Sequence, residues 1–271
     1  MRSRLVETQL EEVDLDGRTF RYRVAGSGEP LVLVHGLAGS WRWWSLLLEP
    51  LAERRRLYAV DLPRPGRSVG AAALSAWLAR WLDAVSLGRV DLAGHSLGGL
   101  VAAKLAARSP ERTRRLVLVA PAGIPCGRRL PARALPLVET LAALRGSLPM
   151  VVGDAVRMGP VGLVRGIAFV SKCDVTPELR SVRAPTLIVW GERDHLVPLW
   201  VAQQWQRALP SSRLVLLQCG HVPMLEAPRE LSAAVLSFLD EELADDPGDE
   251  VGTRVVDGMR LAGNDHEPAA R

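Results

Sequence analysis

Gly94-His95-Ser96-Leu97-Gly98 sets a serine between two glycines in the pattern G-x-S-x-G. Alone the pattern is weak, and its setting gives it meaning. The apolar run Val90–Ala93 precedes it and a helical pattern begins near Gly99. The serine therefore stands at a tight strand-to-helix turn that carries its hydroxyl above a sheet edge. Glycines two positions to either side leave strand and helix room to approach. A serine so placed suits attack on a carbonyl, provided a base lies within hydrogen-bond reach.

Five histidines are available. His266 is near the C-terminus, His95 is pinned beside the serine, His35 follows a strand in a Gly-flanked loop, and His195 adjoins a carboxylate. His221 is the best base, because it follows the apolar run Leu214–Leu217 through Cys219-Gly220. That puts it at the C-terminal end of a strand, the edge where open parallel sheets bind ligands. A purely structural loop histidine is the alternative there. The base needs a carboxylate to fix its tautomer and stabilise the imidazolium. Asp194 lies just beyond the strand-like run Thr186–Trp190, at the same edge; Glu192, directly after the turn, is its nearest competitor. Cys219 is close to His221, but Ser96 is the stronger nucleophile candidate. The oxyanion formed on attack needs two fixed donors. Leu97 N–H supplies one, and Leu37 N–H, in the small-residue loop His35–Ser40, is the expected second. The substrate pocket is expected to include His35, Trp41 and Val222.

The elements that must position these residues follow from periodicity. Pro30–Val34, Leu57–Val60, Val90–Ala93, Leu116–Ala120, Thr186–Trp190 and Leu214–Leu217 are predominantly apolar, as strands buried on both faces are. Helical patterns at Trp43–Glu53, Ala72–Val85, Gly99–Arg108, Trp200–Ala208 and Arg229–Glu242 alternate with them. Two opening runs, Val6–Val13 and Arg18–Val24, are joined by the hairpin dipeptide Asp16-Gly17. The expectation is an α/β fold: a mainly parallel, eight-stranded twisted sheet with helices on both faces. The alternation lapses between Ala120 and Pro185, where weak helices near Ala132–Leu144 and Val152–Val164 predict an inserted helical cap, about residues 122–183. Residues 1–243 read as one domain carrying that cap, and 244–271 as a mobile tail.

With 48% hydrophobic and 24% charged residues, the composition is that of a globular chain. No stretch approaches the ~20 apolar residues of a membrane span. The first residues lack the apolar core of a signal peptide, so a cytoplasmic location is expected. The net charge of +4 rests almost wholly on scattered arginines, without a basic stripe or recognition motif, so nucleic acid is not an expected partner. Cys126, Cys173 and Cys219 form no metal spacing and read as reduced packing cysteines.

The chain resembles the α/β-hydrolase superfamily, specifically its single-domain serine esterases and related hydrolases. The resembling features are HGLAGSW at His35–Trp41, DLPRPGRS at Asp61–Ser68, GHSLGG at Gly94–Gly99, WGERDHLVP at Trp190–Pro198 and GHVPMLEAP at Gly220–Pro228. They are collinear and cover Pro30 to Asp240. The resemblance implies the α/β-hydrolase fold, Ser96, Asp194 and His221 as a triad, and Leu37 and Leu97 as oxyanion donors. Arg64-Pro65 depart from the family's usual glycine and aromatic or histidine, which bears on the pocket wall and not on the chemistry. An aspartate at position 96 would have implied an alkyl-enzyme; serine implies acyl transfer. The expected activity is hydrolysis of a carboxylic ester of a small to medium apolar acyl substrate through an acyl-enzyme, without metal or organic cofactor. A thioesterase, carbon–carbon bond hydrolase or acyltransferase would use the same residues. A non-catalytic binding protein keeping the fold is the remaining alternative. The oligomeric state is not legible.

Overall fold

The structure, a computed structural model, describes residues 7–63, 70–127, 139, 140, 142, 144, 146–209, 211–241 and 260–261. The opening hairpin pairs β1 (Gln9–Leu15) with β2 (Arg18–Ala25). Asp16 and Gly17 between them have φ of 56° and 73°, the positive pair that matches the twist of a two-residue hairpin. The apolar runs form β3 (Pro30–Val34), β4 (Arg56–Val60), β5 (Val90–His95), β6 (Thr113–Val119), β7 (Thr186–Gly191) and β8 (Ser212–Leu217). These six are mutually parallel, and β2 joins β4 antiparallel. The sheet order is β1-β2-β4-β3-β5-β6-β7-β8-β9. The eight expected strands are present in a mainly parallel sheet; β9 is a two-residue addition (Arg260–Leu261) running antiparallel to β8. The rest of the expected tail lies outside the described residues.

Each central strand divides its apolar residues between two cores, as a two-residue repeat requires. Val32, Val34, Leu92, Leu116, Leu118, Ile188 and Trp190 join one core, with residues of α2 (Ala71–Ala84), α3 (Leu97–Arg108) and α6 (Leu199–Ala208). Leu31, Leu33, Ala93, Val117, Val119, Leu187 and Val189 join the other, with α1 (Ser45–Ala52) and α8 (Pro228–Leu239). Burial on both faces is why these strands carry no polar alternation. The chain passes from β3 outward to β4, then returns to β5 on β3's other side. That reversal opens a crevice at the C-terminal ends of β3 and β5, where ligands bind in such sheets.

Of the expected cap, residues 128–138 lie outside the described residues, and most of the helix expected at Ala132–Leu144 goes with them. The second expected helix is part of a longer one, α4 (Leu148–Lys172), broken at Gly159 (φ 74°, ψ 160°). Pro160 explains the break: it has no N–H to continue the ladder and pushes the preceding residue out of the helical region. A single turn, α5 (Thr176–Leu179), leads back to β7. Residues 64–69, which hold the Arg64-Pro65 departure, are also outside the described set. No described helix is long and apolar enough to cross a membrane.

Candidate active site

Ser96 sits between β5 and α3 with φ 49° and ψ −113°, a strained conformation for a side-chain-bearing residue. Three backbone hydrogen bonds hold it there. Ser96 N–H donates to the Val119 carbonyl at 3.0 Å, and the Ser96 carbonyl accepts from Leu100 N–H at 3.1 Å and Ala122 N–H at 3.0 Å. The turn also needs its glycines. A Cβ on Gly94 would stand 2.4 Å from the Gly98 carbonyl oxygen, and one on Gly98 would stand 2.2 Å from that of Val34.

His221 lies on the loop between β8 and the short helix α7 (Pro223–Glu226), buried at 5% exposure. Its Nδ1 is 2.7 Å from Asp194 Oδ2, and Asp194 itself is buried. The carboxylate can only accept, so the imidazole proton is on Nδ1 and Nε2 keeps a lone pair. The other carboxylate oxygen, Oδ1, accepts from Leu196 N–H at 2.9 Å and Val197 N–H at 2.8 Å. Two further groups fix the imidazole's loop. Glu226 bridges the amides flanking His221, taking Gly220 N–H at 2.7 Å and Val222 N–H at 2.9 Å. His95 Nε2–H donates to the His221 carbonyl at 2.9 Å.

Burial favours the neutral form of the two neighbouring histidines. Burial, and then the nearness of His221, pushes His95 well below the ordinary imidazole range. Its ring centre is 5.1 Å from that of His221, so a charge on His95 would oppose proton uptake by His221. His35 is lowered by burial as well. Its Nε2 accepts Leu62 N–H at 2.9 Å, which leaves the proton on Nδ1, 2.8 Å from the Gly36 carbonyl. Cys219, two residues before His221, is buried, and its thiol is pushed up to about 12, chiefly by desolvation. It is not a thiolate nucleophile at neutral pH.

Ser96 and His221 face one cavity of about 200 Å³. Leu37, Trp43, Leu144, Val151, Leu163 and Ile167 give the wall large apolar side chains, and Val222 also lines it. The polar side chains among its described lining are those of His95, Ser96, Thr140 and His221. Among the described residues no hydrogen bond closes between Ser96 Oγ and the imidazole, a link that often tightens only around a substrate. Leu97 is the first residue of α3, so its N–H has no acceptor within the helix, and Leu37 borders the same cavity from the loop after β3.

The pocket residues expected from sequence divide. Val222 lies on the cavity wall. His35 borders a smaller cleft that shares Leu37 and Ala38 with this cavity. Trp41 lines neither space: its N–H is committed to Asp61 Oδ1 at 2.7 Å, and Arg23 sits over its ring at 4.8 Å. Trp43 is the tryptophan on the wall, because the 3₁₀ turn Trp41–Trp44 rotates it inward. Sequence reasoning missed Glu226 and the role of His95. Glu226 stands four residues after Val222 on a one-turn helix, a spacing that could have signalled it.

Residues 31–234 match the model of the Alpha/beta hydrolase family. The chain is 34% identical over 237 residues to a pimeloyl-[acyl-carrier protein] methyl ester esterase of Nitrosomonas europaea, covering 76% of this chain and 93% of that protein. It is 31% identical over 262 residues to a 2-hydroxy-6-oxo-2,4-heptadienoate hydrolase of Pseudomonas putida, covering 80% and 91%. Among solved structures, a bacterial membrane phospholipase A superposes with a TM-score of 0.68 at 29% identity, covering 86% of each chain.

Proposed function

This chain belongs to the alpha/beta hydrolase family, and we propose that it is a serine hydrolase cleaving carboxylic esters of small to medium apolar acyl groups. The observation that carries the proposal is the shared cavity of Ser96 and His221, with the imidazole fixed by Asp194. In this reading His221 Nε2 takes the hydroxyl proton as Ser96 Oγ attacks the carbonyl. The tetrahedral oxyanion accepts hydrogen bonds from Leu37 N–H and Leu97 N–H. His221 returns the proton to the leaving alcohol, and the acyl-enzyme is then cleaved by a water that His221 deprotonates. Both histidine steps use the one nitrogen that Asp194 leaves free.

The esterase reading is supported over the carbon–carbon hydrolase reading by the cavity wall. The name of the Pseudomonas relative describes a carboxylate-bearing substrate, which in an apolar cavity calls for a cationic partner. No arginine or lysine is among the described lining residues. The name of the Nitrosomonas relative describes a methyl ester esterase, consistent with an uncharged scissile group.

Covalent labelling tests the mechanism. A fluorophosphonate should label the wild-type protein, and Ser96→Ala should abolish that labelling; wild type that stays unlabelled would overturn the proposal. Specificity constants over p-nitrophenyl esters, acyl thioesters and vinylogous diketones then rank the bond cleaved. Efficient diketone cleavage beside poor ester turnover would replace the esterase reading.

A further inference from the structure

Asp154 is a carboxylate on the cap with its side chain only 2% exposed, and four donors surround it. Its Oδ2 accepts from Ser40 Oγ at 2.7 Å and Trp43 Nε1 at 3.2 Å. Its Oδ1 accepts from an Arg42 guanidinium nitrogen at 2.8 Å and an Arg157 one at 2.6 Å. Only Arg157 belongs to the same helix. The other three donors come from Ser40–Trp43, the segment directly after the loop that carries Leu37 N–H.

That segment is stiff in the direction that matters. Gly39 N–H closes a turn onto the Gly36 carbonyl at 3.1 Å, and Trp43 N–H onto that of Ser40 at 3.0 Å. Leu37 lies inside the first of these turns, and Ser40 opens the second directly after it. Beyond the break at Gly159, the same cap helix touches the loop again: a Cβ on Gly166 would stand 2.5 Å from Leu37 Cδ1. Trp43, held by Asp154 through its ring nitrogen, is also a wall of the cavity and lies 5.8 Å from His95. The cap thus grips the oxyanion loop on both sides of its own kink.

A carboxylate withdrawn from water and ringed by donors is little better for stability than an apolar side chain of like volume, and its distinctive effect is to hold those donors in one arrangement. We propose that Asp154 is a positioning residue, through which the cap sets the oxyanion loop and hence the placement of Leu37 N–H. This rests on the serine-hydrolase reading above. It adds that cap docking and transition-state stabilisation are one coupled event.

The test uses the full chain, a p-nitrophenyl ester, and fluorophosphonate titration to count working sites. Asp154→Asn and Ser40→Ala are compared with wild type. Asp154→Asn should lower kcat per titrated site about tenfold or more, a share of the 10²–10³ that losing an oxyanion donor costs, with KM within about twofold. Ser40→Ala should lower kcat in the same direction, and the double variant should be no worse than Asp154→Asn alone, since the Ser40 hydroxyl reaches the cap through Asp154. A role confined to holding the fold would change melting temperature and the number of titrated sites, not kcat per site. Unchanged kcat per site in both single variants overturns the inference. Should Asp154→Asn fail to fold, Ser40→Ala, which leaves both guanidinium pairs in place, decides alone. Wild type that does not label would instead bring down the hydrolase mechanism, and this inference with it.

Discussion

Asp194 uses its two oxygens for different purposes, and that division makes its replacement informative. Oδ1 is committed to the amides of Leu196 and Val197, while Oδ2 faces His221 Nδ1. In Asp194→Asn the two amides will still demand an acceptor, so the new carboxamide must turn its NH₂ toward the imidazole. Nδ1 then has to accept, and the proton moves to Nε2, the nitrogen required as a base. Turnover of a p-nitrophenyl ester should fall by about 10³–10⁴ while the melting temperature barely moves. Near-wild-type kcat would show that another carboxylate serves, and would remove Asp194 from the mechanism. At this scale the meeting of Ser96 and His221 in one cavity, with Asp194 against the imidazole, was readable, because strand ends and turn glycines mark where side chains gather at a sheet edge. Trp41 and Trp43 were not separable in the same way. A single 3₁₀ turn settles which of two tryptophans two positions apart faces inward, and nothing in the residue types announces that turn.

The strands carry a second ionic feature, remote from the cavity. Asp91 on β5 is fully buried, and Arg114 on the neighbouring β6 grips it with two hydrogen bonds of 2.9 Å each. Glu29 also pairs with Arg114, and the two carboxylates together raise its guanidinium's affinity for its proton. Both residues lie toward the N-terminal ends of their strands, opposite the edge that bears Ser96 and His221. Arg114→Met would leave a buried carboxylate without its partner, at a cost of about 3–5 kcal/mol. Urea denaturation should show that loss, and Asp91→Leu combined with Arg114→Met should recover most of it, with kcat per folded molecule unchanged in both. A single variant as stable as wild type would mean that water reaches Asp91. The strands themselves were readable from the sequence, since burial on both faces leaves largely apolar runs. The cap was read less fully. Its helix buries one side against the cavity and bends at Gly159-Pro160, so its apolar residues follow no single period over its length.

Across the whole molecule, the crevice between β3 and β5 is built around two imidazoles whose neutral form is favoured by burial. His35 ends the β3 side and His95 the β5 side, and burial lowers the proton affinity of both. In the unfolded chain each should titrate near the ordinary value of about 6.5. Between that value and its depressed folded value, the unfolded state binds the extra proton, so stability rises with pH there and falls as acid is added. Contributions present above about pH 6.5 are lost progressively below it, at up to about 1.4 kcal/mol per pH unit for each histidine. Denaturant midpoints measured from pH 7.5 down to pH 5, above the range where ordinary carboxylates titrate, should show a decline that steepens below about 6.5. His35→Asn should remove its titration and reduce the slope in that window, whatever it does to stability at pH 7.5. A flat profile in wild type would mean that one or both rings accept a proton without unfolding. In that case a charge 5.1 Å from His221 could form beside the base, and the reading of His95 as a neutral anchor for the His221 carbonyl would fail.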